Sequence, residues 1–321
     1  MTANMKELQG KRVMVTGASG FIGAHLVEAL LDAGAQVVAN VEPGAGLDRI
    51  EHLLDSLTLT RCILSDNGKI EAHHPEWKGV QLLAHLGIGI PRSKRFGEQA
   101  TEDINMNLLP TINLVRSLGD SLEGICFASS VSVYGNPSSL PVRESDLPVP
   151  NTSYGSVKLA AENYLRCYGN AIGVPVTSLR YSVVYGPGET AHRAIPNFIN
   201  QVSRDLPPLI NGDGSEIRDY VYVDDVVRAT LSALVNRPCR VINVGSGHGH
   251  TTIHVAREII RLFGSDIEPE YLPSDRPNVN IVCDITEAMK SLSFVPRSSL
   301  TEGLSREIEW CRTRYDLCHK L

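Results

Sequence analysis

The sequence predicts an α/β protein organised around a doubly wound parallel sheet, and three features of the chain support that prediction. A short apolar run rich in β-branched residues (RVMVT, 12–16) is typical of a strand buried on both faces of a parallel sheet. Three glycines and then a segment of helical periodicity follow it directly. Strand-like and helix-like segments continue to alternate, as βαβ units do when they build a parallel sheet with helices on both faces. With 321 residues, 42% of them hydrophobic, the chain can bury a core of this kind.

The glycine-rich turn is the clearest local indication of a ligand. Gly17, Gly20 and Gly23 lie at three-residue spacing between the first strand and a helix that we expect to end at Gly34. Such a turn lets the backbone approach a pyrophosphate closely and directs the free N–H groups of the helix N-terminus toward it. An ordinary tight turn that binds nothing is the alternative. The position of the glycine-rich turn in a βα unit at the start of the chain favours a dinucleotide site, and with it a Rossmann-type fold.

The other elements follow in order along the chain. In the first half we predict strands at 36–41, 59–64, 81–86, 124–129 and 174–179, and helices at 47–57, up to 118 and at 153–170. The second half is less regular, with helices predicted at 195–204, 224–235 and 300–314 and strands at 220–223 and 240–244. We expect this smaller mixed C-terminal region to pack against the carboxyl ends of the parallel strands. It would close a cleft there, where ligands of open α/β sheets lie.

Composition argues against several classes of partner. A formal net charge of −6 gives no indication of nucleic-acid binding. We see no charged-then-apolar leader and no apolar run of membrane-spanning length, so no membrane partner is expected. The seven cysteines are scattered and never form a Cys-x-x-Cys pair, as is typical of reduced thiols in a cytoplasmic protein. The histidines at 73–74 and at 248 and 250 lack further ligands at a sensible spacing, so no metal is expected.

The chemical signal is a tyrosine and a lysine four residues apart, Tyr154 and Lys158. This spacing puts phenol and ammonium on one helix face, about one turn apart. A fixed cation nearby favours the phenolate, so we expect Lys158 to lower the pKa of Tyr154 and to make it a general base. Such a base can take the proton of an alcohol whose carbon is being oxidised by a nicotinamide. Ser129 and Ser130 end the preceding strand and could hydrogen-bond the same substrate hydroxyl; plain strand-end hydroxyls are the alternative.

Motifs over nearly the whole chain carry a resemblance to a known family. They are GASGFIG (17–23), HLGI (85–88), NLLPTINL (107–114), ASSVSVYG (128–135), the Tyr154/Lys158 pair, RYSVVYGPG (180–188), GDGSEIRDYVYVDD (212–225) and INVGSG (242–247). Through them the chain resembles the extended short-chain dehydrogenase/reductases, within these the NAD-dependent nucleotide-sugar epimerase/dehydratase group.

The resemblance implies a division of the chain and an assembly. Residues 1–180 would form the dinucleotide-binding domain, to which 216–247 returns, while 181–215 and 248–321 form the nucleotide-sugar-binding region. A homodimer is implied, pairing through the helix around 107–118 and the helix that carries Tyr154. The apolar residues that we expect on the outer faces of those helices are Leu108, Val115, Leu159 and Leu165.

The resemblance also implies roles for individual residues, with Tyr154, Lys158 and Ser130 as the catalytic group. NAD is the implied cofactor, and the residues implied to bind it are Gly17, Gly20, Phe21, Ile22, Gly23, Glu42, Asp66, Leu86, Asn107, Ser129, Tyr154, Lys158 and Tyr181. The resemblance implies a nucleotide-sugar substrate, with a UDP-sugar expected, and the residues implied to bind it are Ser130, Ser132, Tyr154, Val183, Arg218 and Arg276. Arg218 would meet the nucleotide diphosphate, because a guanidinium fork suits phosphate geometry better than an ammonium does.

The chain departs from the family pattern at several positions. The acidic residue that usually follows the second strand falls on Val41, so Glu42, one place later, is the expected ribose ligand; an acid there would repel a 2′-phosphate and favours NAD over NADP. Val183 replaces an asparagine that many members use on the sugar phosphate. The 4,6-dehydratases of the family carry Asp-Glu after the catalytic Thr, as the acid and base for eliminating water, where this chain has Val131 and Ser132. An ordinary 4,6-dehydratase is therefore not expected.

These observations leave several hypotheses, and the leading two begin with oxidation at C4 of an NDP-hexose. A dehydratase would then remove the C6 hydroxyl against the C5 proton and leave a 5,6-alkene. We prefer it narrowly, because the chain as a whole resembles the UDP-N-acetylglucosamine 5,6-dehydratases of tunicamycin-type nucleoside antibiotic biosynthesis. A UDP-sugar 4-epimerase is the alternative. An NDP-4-ketosugar reductase and a non-catalytic NAD-binding regulator are less favoured, the latter because the chain keeps Tyr154, Lys158 and Ser130.

Overall fold

The parallel sheet and its helices form the larger part of the structure, a computed structural model that describes residues 5–64, 74–87, 89, 96–274 and 278–315. The strands are β1 (Arg12–Thr16), β2 (Gln36–Val41), β3 (Thr58–Arg61), β4 (Leu82–His85), β5 (Gly124–Ser130), β6 (Val176–Tyr181), β7 (Val183–Tyr185), β8 (Leu209–Asn211), β9 (Ile217–Tyr222), β10 (Val241–Val244), β11 (Gly249–Thr251) and β12 (Glu270–Leu272). The helices are α1 (Phe21–Asp32), α2 (Phe96–Asp103), α3 (Leu109–Ser117), α4 (Ser153–Ile172), α5 (Ala194–Val202), α6 (Val223–Asn236), α7 (Thr252–Phe263), α8 (Thr286–Leu292) and α9 (Leu300–Tyr315).

Seven strands make the main sheet, in the order β10-β6-β5-β4-β1-β2-β3, and every neighbouring pair is parallel. From β1 the chain adds β2 and β3 on one side and then crosses to add β4, β5, β6 and β10 on the other. The strand order therefore reverses between β1 and β4, and a crevice opens at the carboxyl ends of these two strands. The predicted Rossmann-type α/β fold is confirmed.

Apolar residues cover both faces of this sheet. On one face α1 and α6 pack against the strands, with Leu26, Leu30 and Leu234 in the core. On the other face α3 and α4 bury Val115 and Leu165. These two side chains were expected to face a second subunit, but both have zero exposure within the chain. That expectation is wrong for them, since the helices turn these residues inward onto the sheet.

Two predicted helices differ from those in the structure. The predicted helix at 47–57 is a 3₁₀ segment, Glu51–Ser56. The helix expected to run up to 118 is interrupted by a π-helical turn, Ile104–Leu108, that joins α2 to α3. Pro110 lies in the first turn of α3. A proline is tolerated in the first turn because the N–H groups there have no partner within the helix, so the N–H that proline lacks is not needed.

Two small sheets lie outside the main one, β11-β9-β7 and β12-β8. Residues 216–247 were expected to return to the dinucleotide-binding domain. Within this segment, β9 pairs with β7 and β11 in a small sheet. The strand β10 extends the main sheet beside β6. In the described part of the chain, no helix has the length and apolar character needed to cross a membrane.

Candidate active site

The glycine-rich turn after β1 has the geometry that a bound pyrophosphate requires. Gly17 has φ +67°, and a Cβ added there would lie 2.8 Å from Gly87 Cα. A Cβ on Gly23 would overlap the carbonyl oxygen of Gly17. Gly20 is the N-cap of α1, so the first N–H groups of that helix have no capping side chain. The three glycines therefore form a cradle in which backbone amides stay free for an anion.

Ser130, Tyr154 and Lys158 come together at the carboxyl ends of the strands. Thr152 caps α4 by accepting a hydrogen bond from the Gly155 amide at 3.1 Å, which fixes the start of the helix. The Tyr154 phenol hydrogen-bonds the Ser130 hydroxyl, an interaction that lowers the pKa of Tyr154. The Lys158 ammonium is buried and donates to Ala128 O at 2.7 Å. The predicted catalytic group is thus assembled, since strand β5 and helix α4 meet at this point.

The electrostatics of Tyr154 differ from the expectation. Burial raises the pKa of Tyr154, while the Arg193 guanidinium and the Ser130 hydrogen bond lower it and Asp103 raises it further. Burial also lowers the pKa of Lys158 to about 7, an effect that Glu162 opposes. Arg193 is thus a cation that lowers the pKa of Tyr154, and the Lys158 ammonium lies 5.8 Å from the centre of the Tyr154 ring. The role of Lys158 beside the phenol stays a prediction, and its own low pKa follows from burial, which disfavours the charged form of an amine.

The two serines at the end of β5 face opposite ways, as neighbouring residues of a strand do. Ser129 donates its hydroxyl hydrogen to Glu162, which also accepts hydrogen bonds from Arg180 at 3.0 and 2.7 Å. This buried polar cluster lies behind the site. Ser129 and Ser130 therefore do not share one substrate hydroxyl, and only Ser130 reaches Tyr154.

The residues expected around the cofactor are only partly brought together. Asn107 is buried and grips the backbone of Gly89: its Oδ1 accepts from Gly89 N at 2.9 Å and its Nδ2 donates to Gly89 O at 3.1 Å. Leu86, half-buried, follows β4 at the crevice, and Phe21 and Ile22 open α1. The Tyr181 hydroxyl, in contrast, is bonded at 2.7 Å to Thr230 within the core and points away from the site.

Glu42, one of the two acidic residues expected at the adenosine end of the cofactor, directly follows β2, the strand next to β1. Val41 ends β2 and is buried, while the side chain of Glu42 is exposed just beyond the strand. Asp66 lies outside the described residues. The structure therefore leaves the ribose ligand a prediction.

Two of the residues expected to bind the substrate lie on one small sheet. Val183 begins β7, which pairs with β9, and Arg218 lies on β9 opposite His250 of β11. The Arg218 guanidinium donates to Glu216 at 2.7 Å. Ser132 lies beside Ser130, with their hydroxyl oxygens 2.9 Å apart. Arg276 lies outside the described residues.

Sequence reasoning missed three charged residues of the site. Glu162 follows Lys158 by four residues, so the spacing that links Tyr154 to Lys158 could have found it. Asp103 is fully buried one turn before Asn107, and its Oδ2 has no hydrogen-bond partner among the described residues. No local pattern indicates Arg193, which follows a turn in the second half of the chain. Within the described residues, no group of three or more His, Cys, Asp or Glu side chains could hold a metal ion.

Comparison with known proteins decides the family. Residues 13–245 match the NAD dependent epimerase/dehydratase family. The chain belongs to this family. It is an enzyme of this NAD-dependent kind, and the glycine cradle, the free amides of α1 and the buried Lys158 fit that cofactor.

Individual relatives align over almost their full length. The UDP-glucuronate 4-epimerase of Thermodesulfobacterium geofontis is 29% identical, over 95% of this chain and 97% of its own. The UDP-glucose 4-epimerase of Mycolicibacterium smegmatis is 30% identical, over 94% of this chain and 99% of its own. The solved structure of the UDP-glucuronic acid 4-epimerase of Bacillus cereus, which holds UDP-glucuronic acid and NAD, is 27% identical. It superposes with a TM-score of 0.81 over 94% of this chain and 99% of that one.

Proposed function

We propose that the protein is a UDP-sugar 4-epimerase that works through a transient ketone at C4 of the hexose. The observation that carries the proposal is the surroundings of Ser130. Of the two positions after it, Val131 is buried and Ser132 is hydrogen-bonded to Ser130, so neither offers a carboxyl group. Elimination of water needs an acid and a base in addition to C4 oxidation, whereas epimerisation needs oxidation and its reversal only. The relatives include 4-epimerases and dTDP-D-glucose 4,6-dehydratases, so the choice between the two reactions is made on the residues after Ser130.

The residues of the site divide the work of C4 oxidation. When bound, NAD supplies a two-electron acceptor that is regenerated within each turnover. Tyr154 takes the proton of the C4 hydroxyl, and Ser130 hydrogen-bonds the same oxygen and holds it near the phenol. Burial raises the pKa of Tyr154, and Arg193 and Ser130 lower it and so partly oppose that effect. Tyr154 returns the proton once the ketone has been reduced on its other face.

Dehydration remains the second candidate because of one side chain. Asp103 raises the pKa of Tyr154 and is buried, with an oxygen that accepts no hydrogen bond from the described residues. A carboxyl group in this position could serve as the base at C5 that the residues after Ser130 do not supply. This feature supports the UDP-N-acetylglucosamine 5,6-dehydratase that the sequence favoured.

The charge near the Tyr154 phenol guides the choice of UDP-sugars to be tested as substrates. Arg193 is a cation that acts on Tyr154, and its only described ion pair is with Glu189 at 3.5 Å. A sugar with a carboxylate at C6 would offset that charge, so UDP-glucuronate belongs in the panel beside UDP-glucose and UDP-N-acetylglucosamine.

One experiment separates the two reactions. Each UDP-sugar, deuterated at C5, is incubated with the enzyme, and the products are read by mass and by NMR. A 4-epimerase keeps the deuterium and gives a product of unchanged mass with inverted C4. Loss of water together with loss of the C5 label would overturn the proposal in favour of dehydration. Tyr154→Phe, incubated in parallel, is the control for chemistry that does not depend on the site.

A further inference from the structure

A buried histidine lies directly under the crevice where the strand order reverses. Thr16 and His85 are the last residues of β1 and β4 and are partners in the parallel register. His85 is 2% exposed, and its ring lies 5.6 Å from that of Phe127. The glycine-rich turn follows β1, and Leu86 and Gly87 follow β4. Whatever fixes them relative to each other also shapes the crevice between them.

Hydrogen bonds connect the two strand ends and continue into the π-helical turn. The Gly87 amide donates to Thr16 Oγ1 at 3.0 Å, and Thr16 Oγ1 lies 2.7 Å from His85 Nδ1. His85 Nε2 lies 2.8 Å from Thr111 Oγ1, which donates to the Asn107 carbonyl at 2.7 Å. Five residues from β1, β4 and the α2–α3 region thus form one continuous chain of contacts.

The direction of every bond in this chain is determined. Thr111 uses its single hydrogen on the Asn107 carbonyl, so it can only accept from His85, and Nε2 must carry a proton. Burial, with a smaller effect of the Lys158 ammonium, lowers the pKa of His85 to about 3, so the ring is neutral and Nδ1 is unprotonated. Thr16 therefore donates to Nδ1 while its oxygen accepts from Gly87. The ring has one possible protonation state and one orientation.

The chain ends on the two contacts that shape the crevice. Asn107, whose carbonyl is held by Thr111, grips both polar groups of the Gly89 backbone. At the other end, Thr16 holds Gly87, against which Gly17 packs so closely that a Cβ on Gly17 would lie 2.8 Å from Gly87 Cα. Both sides of the crevice are therefore anchored to the same imidazole.

We propose that His85 is a positioning residue for the cofactor pocket, whose Nε2–H form holds the glycine-rich turn in register with Gly87 and Gly89 and so sets the affinity for NAD. The proposal does not depend on which sugar the enzyme uses, because it concerns cofactor binding alone. Its physical basis is pre-organisation, since loops that are already ordered lose less conformational entropy when a ligand binds.

The first test reads the protonation state directly. Long-range ¹H–¹⁵N spectra of the wild-type histidine rings, with His85 assigned by the signal missing in His85→Gln, should show a protonated Nε2 and an unprotonated Nδ1. The described groups around the ring are Thr16, Thr111, Phe127 and the Lys158 ammonium, and none of them favours an imidazolium. The pattern should therefore persist from about pH 8 to about pH 5, below the ordinary histidine pKa. A protonated Nδ1 in that interval would overturn the proposal.

The second test removes one link. Thr111→Val leaves the Nε2–H without an acceptor and should weaken NAD binding about tenfold, as expected when a buried donor loses its partner. Binding of UDP should be unchanged, and Thr111→Ser, which restores the hydroxyl, should recover NAD affinity. The matched control is Thr177→Val in β6, where the replaced hydroxyl is buried but has no hydrogen-bond partner among the described residues. Equal NAD affinity in Thr111→Val and Thr177→Val would refute the role of the chain, whatever reaction the enzyme performs.

Discussion

The buried ion pair behind the active site allows a quantitative prediction, tested by Glu162→Gln. The side chains of Glu162 and Arg180 are only 4% and 5% exposed, and Arg180 meets both carboxylate oxygens. The substitution keeps the shape of the side chain but removes its charge. Arg180 then has no described counter-ion, and its NH1 already lacks a hydrogen-bond partner among the described residues. Leaving one charge of a buried pair uncompensated costs about 3–5 kcal/mol, a large part of the roughly 5–15 kcal/mol that stabilises a typical protein.

Urea unfolding at neutral pH measures this cost. The control is Glu268→Gln, which removes an 82% exposed carboxylate 4.0 Å from Arg257 and should change the free energy of unfolding by less than about 0.5 kcal/mol. The double variant Glu162→Gln/Arg180→Met removes both charges and should be more stable than the single variant. A loss below about 1 kcal/mol in Glu162→Gln, or no recovery in the double variant, would refute the assignment of Glu162 as the buried counter-ion of Arg180.

Four further outcomes are expected. Tyr154→Phe should lower turnover by about 10²–10⁴-fold while leaving the fold and UDP binding intact, and more than about a tenth of wild-type activity would rule out the phenol as base. Burial lowers the pKa of Lys158 to about 7 in the folded protein, from an ordinary value of 10.5. Between these two values the unfolded chain binds more protons, so the stability contributed by this site rises with pH. Urea titrations should therefore show that the free energy of unfolding of the wild type, relative to that of Lys158→Met, is larger at about pH 10 than at about pH 7. The same difference at both pH values would contradict the lowered pKa of Lys158. Gly23→Ala places a Cβ onto the Gly17 carbonyl, so calorimetry should show severe loss of NAD binding; wild-type affinity would mean that the turn can relax. If Glu42 contacts the adenosine ribose, direct titration should show that NADP binds more weakly than NAD, and Glu42→Gln should reduce this difference in affinity. A wild-type preference for NADP would exclude Glu42 as the ribose ligand.

The sequence by itself determined the features that depend on short stretches of chain. The glycines at 17, 20 and 23 between a strand and a helix specify the turn, because only glycine permits those backbone conformations and close approaches. The spacing of four between Tyr154 and Lys158 places them on one helix face wherever that helix packs. Alternation of strands and helices specifies the parallel sheet. These signals are local, and the structure confirms the fold that they predict.

Only the tertiary structure decided which distant residues meet. Arg193 acts on Tyr154 although nearly forty positions separate them, and no periodicity links the two. Val115 and Leu165 are as apolar as any interface residue, yet the packing of their helices on the sheet buries them inside the chain.

The protonation states of the site are likewise a property of the fold. Sequence spacing assigned the cationic role beside Tyr154 to Lys158, but spacing cannot report how completely an ammonium is desolvated, and burial lowers the pKa of Lys158 to about 7. The single protonation state of His85 is set by Thr16 and Thr111, which come from two other elements. Charge and hydrogen-bond direction depend on burial and on partners remote in the chain, and these exist only once the sheet and its helices have packed together.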